Sequence, residues 1–372
     1  MTASERVNRY GAALLAPRIC ILGHDPCGGS EVILWEDVRI LQNAGIPARV
    51  YGSAARNGAS VIKLPVRTNA PLITSAEYCG QFVLKERNAT LLAYNEPTVA
   101  ALAPRRAIVR FDWNTGLPRY WKLPGWLSRF QRACYLFPSQ SERNLFLKIN
   151  PLIPQDSTVV IPNSVDLDLF KPVKVASDKF FRVGFAGQWE PGKGIAVLLE
   201  AWKIVKAQFP IAELWLAGGP RLWQTSTALP GAHEVAALVE AMEKQALVHN
   251  AGTYSRPRMP MFWNSVRVAV FPSFHESFGL AALEAMACGV PVVASAVGGL
   301  TEIVVHGECG LLVPSRSPEP LAEAVVTVLK DESLRRRLSE AARRRAELFS
   351  NEGRAQQLLG LIDRVSEKAR IT

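Results

Sequence analysis

Short apolar runs alternate with longer amphipathic stretches along the whole chain. In the first half, Arg18–Leu22, Ala48–Tyr51, Val61–Leu64, Thr90–Ala93, Ala107–Phe111, Cys134–Phe137 and Val159–Ile161 read as strands. Helical periodicity falls between several of them, over Ser30–Asn43, Leu117–Arg132 and Ser139–Ile149. The second half repeats the scheme with strands over Arg182–Phe185, Glu213–Ala217, Leu247–Ala251, Val266–Phe271, Pro291–Ala294 and Gly310–Val313. Its helices are predicted over Ile195–Phe209, Val235–Lys244, Pro257–Asn264, Phe278–Cys288 and Pro318–Asp331. Strand–helix alternation of this kind predicts α/β architecture with parallel sheets covered on both faces. The turn-rich segment Pro162–Ser177 separates the two series, which divides the chain into domains 1–170 and 171–352. Residues 353–372 carry Leu358, Leu359, Leu361, Ile362 and Val365 on an amphipathic pattern, predicting a helix that packs back on the first domain.

Composition narrows the picture. With 372 residues, two cores are expected, and 48% hydrophobic against 20% charged residues suits a well-packed globular chain. The formal charge of +10 owes much to the triplets Arg335-Arg336-Arg337 and Arg343-Arg344-Arg345. They read either as a solvated helix face or as a contact with an anionic membrane surface. No recognition motif accompanies the charge, so nucleic acid is not an expected partner. The cysteines form no Cys-x-x-Cys pair and no metal spacing with histidine, so they read as reduced thiols of a cytoplasmic protein, with attachment at the membrane surface left open. Met1–Pro17 lacks the apolar core of a signal peptide, and no stretch of about 20 apolar residues is present. No metal and no cofactor are expected.

Candidate chemistry gathers at glycine turns. Gly28-Gly29, Gly187–Gly194, Gly218-Gly219 and Gly298-Gly299 each follow a strand. There, helix starts offer unpaired N–H groups and partial positive charge, and glycine lets a backbone approach a phosphate. The dinucleotide fingerprint Gly-x-Gly-x-x-Gly is missing at the first strand, and the Lys193 loop lacks P-loop spacing. Phe271–Pro291 is the most informative stretch: a strand end, a turn with His275 and Glu276, then a helix from near Ser277 to before Gly289. Helical spacing would put Glu276 and Glu284 about 12 Å apart along the axis. The amides of Phe278, Gly279 and Leu280 lie between, where a diphosphate would sit with hydroxyl pairs at either end. The plainer reading makes Glu276 a first-turn acid and Glu284 an exposed helix residue.

This stretch resembles the Glu-x7-Glu motif of family 4 glycosyltransferases, retaining enzymes of GT-B fold. The resemblance extends to Pro26–Gly45, Ile161–Phe170, Val183–Leu199, Leu214–Pro220 and Gly289–Glu302. It implies two Rossmann-like parallel-sheet domains facing a central cleft. It also implies transfer of a sugar, with retention, from a nucleotide diphosphate sugar to a glycan, lipid or small-molecule acceptor. Carried over by motif, Lys193 contacts the diphosphate, Glu276 the sugar hydroxyls and Glu284 the ribose. Ser277, Phe278, Gly279 and Leu280 form the phosphate cradle. Gly28 and Gly29 approach from the first domain, Gly218 and Gly219 line the donor site, and Tyr254 with Arg256 bounds the nucleobase. Gln188 stands where the family has arginine. Arg110–Asn114 lacks the family's histidine, and Asp112 either replaces it or is a plain strand-end acid. Tyr120, Trp121 and Trp126 stack an acceptor or simply pack. Asp166-Leu-Asp168 mimics a metal motif, but its interdomain place favours a structural role. A nucleotide-sugar epimerase and a noncatalytic binding protein of the same fold are the alternatives.

Overall fold

A computed structural model describes residues 11–16, 21–22, 29–55, 60–64, 71–103, 105–111, 133–173, 181–219 and 231–368. The chain divides into two units, Met1–Ser164 with Asn351–Thr372, and Val165–Ser350.

The strands of the first unit are β1 (Ala12–Leu15), β2 (Ile21–Leu22), β3 (Ala48–Gly52), β4 (Ala54–Ala55), β5 (Ile62–Lys63), β6 (Thr90–Tyr94), β7 (Ala107–Arg110), β8 (Cys134–Phe137) and β9 (Thr158–Val160). Seven of them form one parallel sheet in the order β5-β3-β1-β6-β7-β8-β9, while β2 pairs only with β4. Every residue of β1 and β6 is buried, as expected of central parallel strands with both faces covered. The sequence pattern placed the opening strand at Arg18–Leu22. The strand that enters the main sheet is instead Ala12–Leu15, whose small Ala12 and Ala13 lie between β3 and β6. Its alanines carry no β-propensity signal, so the pattern passes over it. The helix Pro71–Lys85 is an element beyond those the sequence pattern predicts, with Tyr78, Cys79 and Phe82 buried. The helix expected over 117–132 lies outside the described residues.

The helix Gln140–Ile149 shows how local sequence sets an element boundary. Ser139 accepts a hydrogen bond from the Glu142 amide at 3.1 Å, and Glu142 stands at the third helical position of a capping box. The final helix, Asn351–Lys368, buries Leu358, Leu361, Ile362 and Val365. Its Arg354 is fully enclosed in the first unit and donates to Asp37 through Nε and Nη2, both at 2.9 Å. Tyr94 donates to the same carboxylate at 2.7 Å, and Arg354 also donates to the Pro162 carbonyl at 2.7 Å.

The second unit contains β10 (Arg182–Gln188), β11 (Glu213–Gly219), β12 (His249–Gly252), β13 (Val268–Phe271), β14 (Val292–Ser295) and β15 (Gly310–Val313), in the parallel order β12-β11-β10-β13-β14-β15. Side chains alternate between two cores. Val268, Val270 and Val293 join the layer under the helices Ile195–Gln208 and Pro318–Lys330. Ala269, Phe271, Val292 and Ala294 join the layer under Leu280–Ala287. Both faces are therefore covered, as the apolar runs imply. Val165–Phe170, assigned to the first domain on sequence, packs in this unit: the Val165 amide donates to Phe349 O at 2.9 Å, and Phe170 is fully buried.

Candidate functional site

The strand order of the second unit reverses between β10 and β13. Open parallel sheets bind ligands beyond the strand C-termini at such a switch point. The loops that follow these two strands hold Lys193 and Glu276, and they are fastened to one another. The Phe274 amide donates to Gly192 O at 2.8 Å. Gly194 has φ +71°, and a Cβ there would stand 2.0 Å from Pro272 O. Only glycine permits that approach. The result is a direct contact: Lys193 Nζ lies 2.8 Å from Glu276 Oε2, and Ser273 Oγ donates to the same oxygen at 3.3 Å. Ser273, which sequence reasoning did not single out, is buried; its place two residues after the strand end was the available signal.

The turn bearing Glu276 is braced from behind. The Gly299 amide donates to Glu276 O at 2.8 Å, and a Cβ on Gly299 would come within 2.4 Å of Phe278 Cα. The Gly298-Gly299 pair, read as one of four anion turns, therefore serves backbone clearance: the Gly299 amide is already engaged. The helix that follows runs over Leu280–Ala287, not from Ser277, because Gly279 at φ +101° breaks the backbone there. Glu276 thus precedes the helix, and the 12 Å axial spacing inferred from sequence does not describe the pair. Its N-cap, Gly279, has no side chain to cap the helix, whose start is a positively polarised end. Ser277 and Leu280 are half-buried, whereas the Phe278 ring is buried against Phe349, centroids 5.8 Å apart, so Phe278 can serve a ligand only through its backbone.

Glu284 is not an exposed helix residue. Its side chain is 9% exposed and pairs with Arg256 Nη1 at 2.7 Å. The Arg256 guanidinium lies 5.4 Å from the Phe170 ring centroid. Burial and the nearby Glu284 charge push the Cys288 thiol up to about 12. Tyr254 is half-buried, its ring 5.5 Å from that of Phe262. Gln188 ends β10 opposite Gly219. Gly218, at φ +121°, lies so close to Gly187 O that a Cβ would stand 2.0 Å away, while Gly219 faces open space. Glu302 lies in the one-turn helix Leu300–Ile303. Gly29 opens the helix Gly29–Asn43 of the first unit. Gly28, Asp112, Tyr120, Trp121 and Trp126 lie outside the described residues.

Asp166 Oδ1 accepts from the amides of Asp168 and Leu169 at 3.1 and 3.0 Å, the geometry of an Asx turn, so Asp166-Leu-Asp168 shapes the chain. Among the described residues, no group of three or more His, Cys, Asp or Glu side chains is placed to hold a metal ion. The arginine triplets are divided in use. Arg343 donates to the carbonyls of Phe170 and Ala287 at 2.8 and 2.7 Å, and Arg345 to that of Glu302 at 2.7 Å. Arg335 pairs with Glu332 at 2.7 Å. Arg336, Arg337 and Arg344 are the exposed members. Among the described residues no helix is long and apolar enough to cross a membrane.

Residues 168–345 match the family described as glycosyl transferases group 1. The chain is similar to D-inositol 3-phosphate glycosyltransferase of Jonesia denitrificans, 35% identical over 191 residues that cover 50% of this chain and 44% of the relative. It is also similar to the protein of that name from Corynebacterium glutamicum, 33% identical over 225 residues covering 56% and 51%. The chain spans about half the length of the curated relatives it matches. Its fold is similar to that of sucrose-phosphate synthase from Thermosynechococcus elongatus, with TM-score 0.78, 22% identity and coverage of 95% and 99%. It is likewise similar to HepE of Anabaena in complex with UDP-glucose, with TM-score 0.76, 20% identity and the same coverage. Its second unit carries the sequence of the group 1 glycosyl transferases over residues 168–345, and its two-sheet fold is of the GT-B type.

Proposed function

We propose that this protein is a retaining glycosyltransferase that moves a sugar from a nucleotide diphosphate sugar to an acceptor hydroxyl. The observation that carries the reading is the meeting of Lys193 and Glu276, 2.8 Å apart, at the switch point beside an uncapped helix start. A cation, a carboxylate and a set of N–H groups there match the three demands of such a donor. Lys193 and the amides of Ser277, Phe278, Gly279 and Leu280 receive the diphosphate. Charge builds on its leaving oxygen as the glycosidic bond breaks, and fixed donors stabilise that charge. Glu276 orients the sugar through its hydroxyls. Glu284 takes the ribose, and Tyr254 bounds the base. Gln188, Gly218 and Gly219 complete the donor side. Gly28 and Gly29 are assigned to donor binding, and Asp112 to catalysis in place of the family's histidine.

No metal ion or cofactor is required, because the diphosphate charge is met by Lys193 and backbone dipoles. A UDP-linked donor is supported by the UDP-glucose bound in HepE, and a small polyol phosphate acceptor by the names of the curated relatives. Cys79, Cys134, Cys288 and Cys309 are free thiols, which suits work in the reducing cytoplasm. Contact with an anionic membrane would fall to Arg336, Arg337 and Arg344. The test is calorimetry with UDP-, GDP- and ADP-linked sugars, followed by product analysis. A glycoside with retained anomeric configuration is expected; a free epimer, or donor binding without turnover on any acceptor, contradicts the reading.

A further inference from the structure

We propose that Arg256 is the positioning residue for Glu284, its guanidinium fixing the carboxylate in the orientation that meets the donor ribose. The inference rests on the assignment of Glu284 to the ribose. Glu284 lies in the second turn of a helix whose neighbouring residues Ala282, Leu283, Ala285, Met286 and Ala287 are all buried. A carboxylate enclosed to 9% exposure in apolar surroundings keeps its charge and its place only with a cation at hand. Arg256 supplies that cation from 28 positions away in sequence, at 2.7 Å.

Arg256 is itself fixed. It opens the short 3-10 turn Arg256–Arg258 that follows β12. Its guanidinium lies 5.4 Å from the Phe170 centroid. The Phe170 carbonyl accepts from Arg343 at 2.8 Å, and the same Arg343 nitrogen donates at 2.7 Å to Ala287 O, at the end of the helix that carries Glu284. Three segments distant in sequence are thus gathered about one carboxylate. A planar guanidinium constrains the direction of the oxygen it binds, whereas an ammonium supplies charge with little direction. The pair therefore differs from an ion pair that merely holds a turn to a helix: it sets where the acceptor oxygens of Glu284 point.

The experiment compares calorimetric affinities for UDP, GDP and ADP with those for their 2′,3′-dideoxy forms, using the full chain. Wild type is expected to prefer the ribo form of its best nucleotide by about 10- to 100-fold, the range for hydrogen bonds to a charged group. Arg256→Met should reduce that ratio to below about threefold, and Arg256→Lys should keep an intermediate ratio. Glu284→Gln should lower the ratio, and adding Arg256→Met to it should lower it no further. This double variant leaves no unpaired buried charge, so it is suited to fold where the single one does not. A folded Arg256→Met protein with the full wild-type ratio overturns the proposal. So does an undiminished ratio in Arg256→Lys, and so does a further loss in the double variant. A wild-type protein that binds both sugar forms equally overturns the ribose assignment itself, and this inference with it.

Discussion

Lys193 stands between two glycines with opposite surroundings, and replacing each by alanine separates the effect of backbone clearance from that of composition. At Gly194 the backbone is left-handed, φ +71°, and the new Cβ would lie 2.0 Å from Pro272 O and 2.8 Å from its carbonyl carbon. Even a close carbon–oxygen contact needs roughly 3.3 Å, so the two loops must part by about 1 Å or more. The dihedral alone costs about 1–2 kcal/mol. In a unit of this size that corresponds to a fall of about 2–8 °C in Tm, and the parting of the loops adds to it. The same displacement carries Lys193 away from Glu276, and misplacement of about 1 Å can cost about 100-fold in rate. At Gly192 a Cβ would meet nothing within 4 Å. There alanine should be neutral or stabilising by up to about 1 kcal/mol, through loss of unfolded-state freedom. The assay is thermal melting, calorimetry with the UDP-, GDP- and ADP-linked sugars, and product formation. Gly194→Ala should fall in all three while Gly192→Ala tracks wild type. If the two variants melt and bind alike, the claim that the switch-point loops abut through Gly194 is refuted.

Three further outcomes are expected. Lys193→Ala should lower turnover about 10²- to 10³-fold. Because its pair with Glu276 is partly exposed, melting should change little; unaltered product formation contradicts the role. Arg354→Met strands the buried Asp37 carboxylate and should cost about 3–5 kcal/mol in urea unfolding, much of it recovered when Asp37→Leu is added. Stability should fall as pH rises above 9. Cys288, pushed up to about 12, and the buried Tyr94, raised well above 10, stay protonated in the fold while the unfolded chain ionises from 9.0 and 10.0. The unfolded state then holds fewer protons, so Cys288 alone lowers stability by up to about 1.4 kcal/mol per pH unit between about pH 9 and 12. Melting curves from pH 7 to 11 check this, with Cys288→Ala expected to show a shallower decline.

Central strands were legible in the sequence because burial on both faces leaves a continuous apolar run. Thr90–Ala93 falls within β6, and Val266–Phe271 contains β13, both fully buried inner strands. Ala12–Leu15 was not legible, since two alanines carry little strand preference. The residue types of the site could be read, because glycine turns and acids near a strand end are local features. Their partners could not. Lys193 meets Glu276 across 83 positions, and Arg256 meets Glu284 across 28. Such pairings follow from the order of strands in the sheet, which local pattern does not encode. For the same reason the arginine triplets looked uniform. Arg335 and Arg343 share the inner stripe of the helix Glu332–Glu347 with Leu338, Ala342 and Ala346, and composition cannot distinguish an arginine that holds carbonyl groups from one in water.

The return of the last helix to the first unit has a consequence for biosynthesis. The ribosome completes every strand of β1–β9 well before Arg354 emerges, and the whole Val165–Ser350 unit is made in the interval. Until then the Asp37 carboxylate awaits its counter-charge, so the portion translated first is the portion finished last. Nascent chains stalled ahead of Asn351 should consequently expose the early segment to proteases and chaperones, while the later-made sheet is already protected.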